Sequence, residues 1–325
     1  MKQSSYTIQG VNLHLQCDQR LYSKISKYLN YFYAGKLRPN IKPLTYNLSI
    51  KKDPPPVPVT AVASLKAEYM TFYRDGADSY YTLHNGSIIR FSPLTGTAEG
   101  FIRKESLNDT ARLLSFIGAP ISENLKFNSL YCFHSAALEK NGVGYLFSGD
   151  SGSGKTTTTL SLVSAGFKYV SDDVVLLEET DEGIVANSMT KTFNVDRVSI
   201  GRYSDLASKV TLPDEKGIKT SIDMSRLVPG SFINYLRPDV IVFLKRHLRG
   251  RSRIVPLNQM EVFGRLLKQS VLSSNREISR QQLQFFGKLV RQVRGFELLS
   301  GQDIFEQTGT LLSLLRTAGG NNADH

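Results

Sequence analysis

The sequence predicts a mixed α/β fold in two domains, and three observations carry that expectation. A short apolar strand, Gly144-Tyr-Leu-Phe-Ser148, runs into a glycine-rich stretch and then into a helix with Leu160, Leu162 and Val163 available to pack. Strand, glycine loop and helix N-terminus, in that order, build an anion-binding P-loop. Hairpin signals recur at Asp75-Gly76, Asn85-Gly86 and Asn141-Gly142, each between β-type segments. The helices fall between these hairpins without the regular βα alternation of a purely parallel sheet. The expected architecture is a P-loop domain with a mixed sheet and hairpins, preceded by a smaller α+β domain. At 325 residues the chain is long enough for both.

Taken in order, residues 5–17 alternate as one strand. Asp18 is then placed to cap a helix through Tyr33, with Leu21, Ile25, Tyr28, Leu29 and Phe32 on one face. Asp53-Pro-Pro-Pro-Val-Pro-Val-Thr60 reads as an extended connector. Residues 68–104 form a β-meander with a further turn at Thr95-Gly96, and a helix over 107–116 closes a first domain at 1–125. The second domain, 126–317, opens with a hairpin over 131–148 that feeds the loop. Gly166 suits the end of the loop helix, and a strand over 167–170 can pair beside the loop strand. Hairpins over 174–188 and 238–256 follow. Next come helices over 259–272, with Asn258 and Glu261 spaced as a capping box, 280–293 and 303–315. Residues 318–325 are expected to be a disordered tail.

The glycine-rich stretch is the most informative part of the chain. Residues 149–156, Gly-Asp-Ser-Gly-Ser-Gly-Lys-Thr, fit G-x-x-x-x-G-K-[ST]. Glycines let successive backbone N–H groups turn inward around an anion. Lys155 would reach the outer phosphates and the Thr156 hydroxyl would ligate Mg²⁺. The expected nucleotide contacts are Gly149, Asp150, Ser151, Gly152, Ser153, Gly154, Lys155, Thr156 and Thr157, with ATP and Mg²⁺ as cofactors. Phosphoryl transfer also needs a group that orients or deprotonates the acceptor. Asp172 and Asp173 stand at a strand end and point to opposite sides of an extended chain. One can face Mg²⁺ and the other the acceptor, or one can merely cap a turn. His134 lies on the hairpin strand before the loop, and antiparallel pairing brings it toward the loop's mouth. On spacing alone, a histidine between Phe133 and Ser135 reads as structural.

These residues resemble the catalytic domain of HPr kinase/phosphorylase. The likeness is carried by His134-Ser-Ala-Ala, the loop 149–156 and Gly166-Phe-Lys-Tyr-Val-Ser-Asp-Asp173, and it covers about residues 130–190. That family has a histidine before the loop, the form G-[DE]-S-G-x-G-K-S, and an Asp-Asp pair at matching intervals; its domain is related in fold to phosphoenolpyruvate carboxykinases. The resemblance implies an ATP- and Mg²⁺-dependent kinase acting on a serine hydroxyl. It makes Asp172 the acid/base carboxylate and His134 its supporting histidine, which leaves Asp173 to join Thr156 at the metal, and it makes a homo-oligomer plausible. The chain departs from the family at Thr157, where a glutamate is usual. The stretch 192–200 lacks the Glu-x-Arg-Gly segment of the bifunctional enzymes, and Asp196 is open there as a substitute for its metal-binding glutamate. The chain is therefore more similar to the HPr kinase-like proteins of biosynthetic clusters, some of which phosphorylate a peptide serine.

The remaining features exclude more than they assign. The N-terminal residues have no apolar core of signal-peptide length, and the apolar runs, such as 240–244, are too short to span a bilayer, so no membrane partner and a cytoplasmic location are expected. Cys17 and Cys132 alone make no disulfide framework or cysteine-rich metal site. The net charge of +11 gathers between Arg237 and Arg294, where thirteen Lys or Arg face three acids. Such a region suits an acidic partner or is simply a set of solvated helix faces. No nucleic-acid recognition motif accompanies it, so nucleic acid is not an expected partner. Lys216, Lys219 and Arg280 are open as phosphate contacts. The expected partner is a protein, peptide or small molecule offering a hydroxyl. The alternative is an ATP-binding regulatory or accessory module without phosphotransfer.

Overall fold

The computed structural model describes residues 1–38, 41–201, 204–208, 210, 220–247, 250–301, 303–306 and 308–319. It separates into two units, one of residues 1–131 with 272–283, the other of residues 132–271 with 284–325.

The first unit is an eight-stranded mixed sheet with helices packed on its apolar face. Its elements are β1 (Lys2–Ile8), β2 (Val11–Cys17), α1 (Gln19–Leu29), β3 (Leu44–Ile50), β4 (Val62–Lys66), β5 (Met70–Asp75), β6 (Asp78–Leu83), β7 (Ile88–Ser92), β8 (Thr97–Ile102) and α2 (Thr110–Phe127). The strand order is β1-β2-β3-β8-β7-β6-β5-β4. The meander and its turns stand as expected. The single strand expected over 5–17 is instead a hairpin. Gln9 and Gly10 both take positive φ, 48° and 79°, and close the tight turn that matches strand twist. Asp18 precedes α1 but does not cap it: its Oδ2 accepts from Ile50 N at 2.6 Å.

The helix expected to stop at 116 runs to Phe127, through Pro120. A proline inside a helix costs about 3 kcal/mol. Burial of Leu113, Phe116, Ile117, Ile121 and Leu125 at helical spacing offsets that cost. The expected division at residue 125 thus falls inside α2, and the division observed lies at 131/132. Residues 272–283, placed in the second domain by sequence, group with the first unit. There Ser273 Oγ donates to Glu123, and Arg74 Nη1 donates to Ser274 O at 2.9 Å.

The second unit holds β9 (Tyr131–Lys140), β10 (Val143–Ser148), α3 (Lys155–Ser164), β11 (Lys168–Ser171), β12 (Val174–Thr180), β13 (Gly183–Ser188) and β14 (Thr192–Val195). Short helices α4 (Arg197–Ile200) and α5 (Ser204–Ala207) precede β15 (Thr220–Asp223), α6 (Met224–Leu227), β16 (Tyr235–Leu236), β17 (Val240–Arg246) and β18 (Arg253–Leu257). Then come α7 (Gln259–Lys268), the part of α8 (Arg276–Gln292) from Gln284 on, β19 (Arg294–Ser300), α9 (Asp303–Glu306) and α10 (Thr308–Gly319). The main sheet runs β16-β13-β12-β9-β10-β17-β19-β18, with β11 also on β9. It is mixed, as the interrupted βα pattern predicts: β10 pairs antiparallel with β9 and parallel with β17.

Three expectations are corrected here. The segments 238–245 and 252–256 do not form a hairpin, because β19 inserts between them, parallel to β17 and antiparallel to β18. β11 pairs with β9 rather than beside the loop strand, whose other edge β17 occupies. At the C-terminus, Ala318 is fully buried and Gly319 ends α10, with Arg294 donating to the Gly319 carbonyl, so the expected tail does not begin at 318. Residues 320–325 lie outside the described residues. The core that holds the loop is apolar: Tyr145 and Phe147 of β10, Val240 and Val242 of β17, Leu160 and Val163 of α3, and Leu311 and Leu315 of α10.

Candidate active site

Three sequence segments reach the same edge of the second unit's sheet, and strand register alone puts them there. Ser148, the last residue of β10, lies opposite Ser135 of β9, and Ser171, the last of β11, is in register with Ala137. Both strands run antiparallel to β9 and so end on the same edge. The loop after β10 and the Asp pair after β11 therefore flank His134, which sits on the middle strand. Two hydrogen bonds fix the β9–β10 end: Ser148 Oγ donates to His134 O at 2.8 Å, and Ser135 Oγ donates to Phe147 O at 3.0 Å.

The loop backbone needs its glycines. Gly149 has φ 155°, and a Cβ there would lie 2.6 Å from Leu244 O and 2.9 Å from Ser153 Oγ. Gly154 stands at the N-cap of α3 in the left-handed region, φ 100°, which other residues reach only with strain. Lys155 is buried, and its Nζ donates to Gly149 O at 2.6 Å and to Asp150 O at 3.3 Å. The Ser153 hydroxyl is buried with no hydrogen-bond partner among the described residues. A buried ammonium, a buried hydroxyl and the N-terminus of a ten-residue helix meet in one cradle. That donor set fits the phosphates of a nucleotide. Thr156 and Thr157 follow on the first turn of α3, half-buried. Behind them Gly166, φ 82°, ends the helix one residue past Ala165, with Gly166 N donating to Val163 O and Phe167 N to Leu162 O.

The two carboxylates of the Asp pair diverge across the bend that joins β11 to β12. Asp172 turns inward: it is 2% exposed, and its Oδ2 accepts from Asn194 N on β14 at 3.1 Å. Asp173 turns outward, 48% exposed, with its Oδ1 3.2 Å from His134 Nδ1. Ser171 braces the turn between them, donating to Val174 O at 2.8 Å and accepting from Asp173 N at 3.4 Å. Beneath, burial pushes the Tyr169 hydroxyl well up, with the Asp223 and Asp172 carboxylates adding to the shift. It stays protonated and donates to Lys191 O at 3.1 Å.

Other expected site residues fall elsewhere. Asp196 caps α4, its Oδ1 accepting from Ser199 N at 2.7 Å. Arg280 is in the first unit and pairs with Glu277 at 3.1 Å. Lys216 and Lys219 lie outside the described residues. The basic stretch is partly neutralised, by Arg237–Asp239, Arg265–Glu297 and Lys288–Glu179 within the second unit. Sequence reading passed over the contact between α7 and the loop. Gln269 Nε2 donates to Asp150 Oδ1 at 2.8 Å, beside Arg265 and Lys268. Its one legible signal was the capping box at Asn258, which fixes where α7 starts and which residues end it.

Comparison with known proteins bears on the segment just described. The family profile of the HPr Serine kinase C-terminal domain matches residues 126–198. An HPr kinase/phosphorylase from Clostridium botulinum (strain Eklund 17B / Type B) is 28% identical over 113 residues, 34% of this chain and 36% of that protein. One from Geobacillus sp. (strain WCH70) is 42% identical over 55 residues, 17% of this chain and 18% of that protein. The chain thus spans about a third or less of the length of these curated relatives. The solved Hpr(Ser) kinase/phosphatase from Coxiella burnetii aligns with 57% of this chain and 96% of its own, at 14% identity and a TM-score of 0.33. That score is too low to establish a shared fold, so the likeness rests on sequence. Among the described residues no helix is long and apolar enough to cross a membrane.

Proposed function

We propose, from the HPr kinase-like character of residues 126–198, that the chain is an ATP-dependent kinase transferring the γ-phosphate to a serine hydroxyl of a protein, peptide or small molecule in the cytoplasm. The observation that carries this reading is the meeting of three elements on one sheet edge: the loop after β10, His134 on β9 and the Asp pair after β11. Gly149 to Gly154, Lys155 and the start of α3 with Thr156 and Thr157 would hold the nucleotide, and Thr156 with Asp173 would hold Mg²⁺. When bound, these groups supply the γ-phosphoryl and the positive charge that its transfer requires. Lys155 would exchange the Gly149 and Asp150 carbonyls for phosphate oxygens. Asp172 accepts the proton of the incoming hydroxyl, and the Asn194 N–H holds its carboxylate in place. His134 orients Asp173 through the 3.2 Å contact.

A second assignment exchanges the two carboxylates. It is favoured by exposure, since Asp173 is half in solvent and touches His134 whereas Asp172 is 2% exposed. The general base must reach the acceptor's proton. Asp172→Asn and Asp173→Asn separate the two. The base variant loses transfer at saturating Mg²⁺, while the metal-ligand variant recovers as Mg²⁺ is raised. The reading as a whole is tested with γ-labelled ATP and a panel of serine peptides, small hydroxyl compounds and products of neighbouring genes. Label on a serine supports it. ATP binding without transfer to any acceptor supports a nucleotide-responsive module instead.

A further inference from the structure

The loop strand has a second flank, away from the carboxylates. β10, β17 and β19 run parallel, and the carboxyl ends of parallel strands are where α/β sheets receive ligands. A recess of about 340 Å³ opens there, between the first loop residues Gly149 and Asp150 and the C-terminal end of α7. Its charged lining is Asp150, Lys245, Arg265, Lys268 and Glu297. Both acids are engaged: Gln269 donates to Asp150 at 2.8 Å, and Arg265 pairs with Glu297 at 2.6 Å while lying over the Phe243 ring. Lys245 and Lys268 are exposed, and among the described residues neither has an ion-pair partner. Arg265 cancels Glu297, and the neutral Gln269 amide leaves the charge of Asp150 in place, so the two exposed ammonium groups give the recess one positive charge in excess, which favours an anion. The nucleotide does not account for them. Its phosphates are met by Lys155 and the α3 N-terminus, and its nucleoside carries no charge.

We infer that this recess seats acidic side chains of a peptide acceptor, so that the serine to be phosphorylated enters beside the loop with glutamate or aspartate neighbours. The inference rests on the kinase reading for the word acceptor, and on Lys245 and Lys268 for the acidity.

Fluorescein-labelled peptides test it on the full chain without nucleotide, one with serine between glutamates and one with serine between glutamines. The glutamate peptide binds about tenfold tighter, the gain that two exposed ion pairs supply. Lys245→Gln with Lys268→Gln removes that preference. Lys2→Gln with Lys66→Gln, an equal loss of charge in the first unit, keeps it. Affinity for a fluorescent ATP analogue stays unchanged in both variants. Equal binding of the two peptides overturns the inference, as does an equal loss in the control variant. A weakened ATP analogue in the recess variant also overturns it, because the lysines then belong to the nucleotide. Phosphotransfer is read separately. A chain that binds the glutamate peptide through these lysines but moves no phosphate contradicts the kinase reading and leaves the recess as an acidic-peptide site.

Discussion

The two flanks of β10 differ in charge and in how they are built. On the β9 and β11 side stand His134, Asp172 and Asp173, all within forty residues of one another in sequence and held by adjacent strand ends. On the β17 and α7 side stand Lys245, Arg265, Lys268 and Gln269, and the hydrogen bond that ties this side to the loop spans 119 residues of sequence. The first flank presents two carboxylates beside an imidazole; the second presents Lys245, Arg265 and Lys268 against Asp150 and Glu297, a net positive charge. In the proposed kinase, a phosphate loop between these two flanks would separate the chemistry from the choice of substrate.

Lys155 lies between the two flanks and holds the loop closed from within, its Nζ donating to Gly149 O and Asp150 O. Lys155→Ala is expected to lower phosphotransfer by about 10²–10³-fold and to weaken ATP binding, read by single-turnover transfer and by analogue titration. Gly149→Ala drives a Cβ to 2.6 Å from Leu244 O, so β17 and the loop must part. Its cost should be about 1–3 kcal/mol in urea unfolding, with nucleotide binding lost. A variant as stable as the parent would show that the loop does not lean on β17. His134→Ala touches one flank alone. Because the pair with Asp173 is half exposed, stability should change by less than about 1 kcal/mol. The catalytic rate should fall about 10²-fold at unchanged ATP affinity, the lower end of what an acid–base partner contributes. The smallest effect belongs to Asp303 on the basic flank. The Ser252 hydroxyl, aided by the Ser252 N–H, holds its carboxyl below the ordinary range. A lowered folded pKa means that the contribution is present above the unfolded value and is lost as pH falls through the folded one. Asp303→Asn should therefore lower the melting temperature slightly at pH 7 and leave it unchanged near pH 2.

What was legible in the sequence was local. The hairpin through Asn141-Gly142 is real, with Asn141 at φ 53° and Gly142 at φ 78°, and it is what delivers His134 to the loop. The loop glycines and the capping box of α7 likewise act within a few residues of themselves. The misreadings came where distant segments decide. The Gln9-Gly10 turn is hidden because alternation continues through both strands of the hairpin. The helix expected to end at 116 continues through Pro120 because the buried face of α2 outweighs the proline. β19 separates β17 from β18 through parallel pairing over more than fifty residues, which no turn signal marks. The Asp172–Asn194 contact and the recess at α7 are of the same kind: they depend on β14 and on the end of a helix, neither of which carries a motif.

In the proposed kinase the acidic flank performs phosphoryl transfer and the loop binds the nucleotide independently of it. The direct measurement is transfer from γ-labelled ATP to a serine acceptor by the parent chain and by Asp172→Asn, with ATP affinity determined on the same samples. The expected result is transfer by the parent, a fall of about 10²-fold or more in the variant, and equal ATP affinity in the two. Transfer at the parent rate by Asp172→Asn, or loss of ATP affinity along with activity, would contradict it.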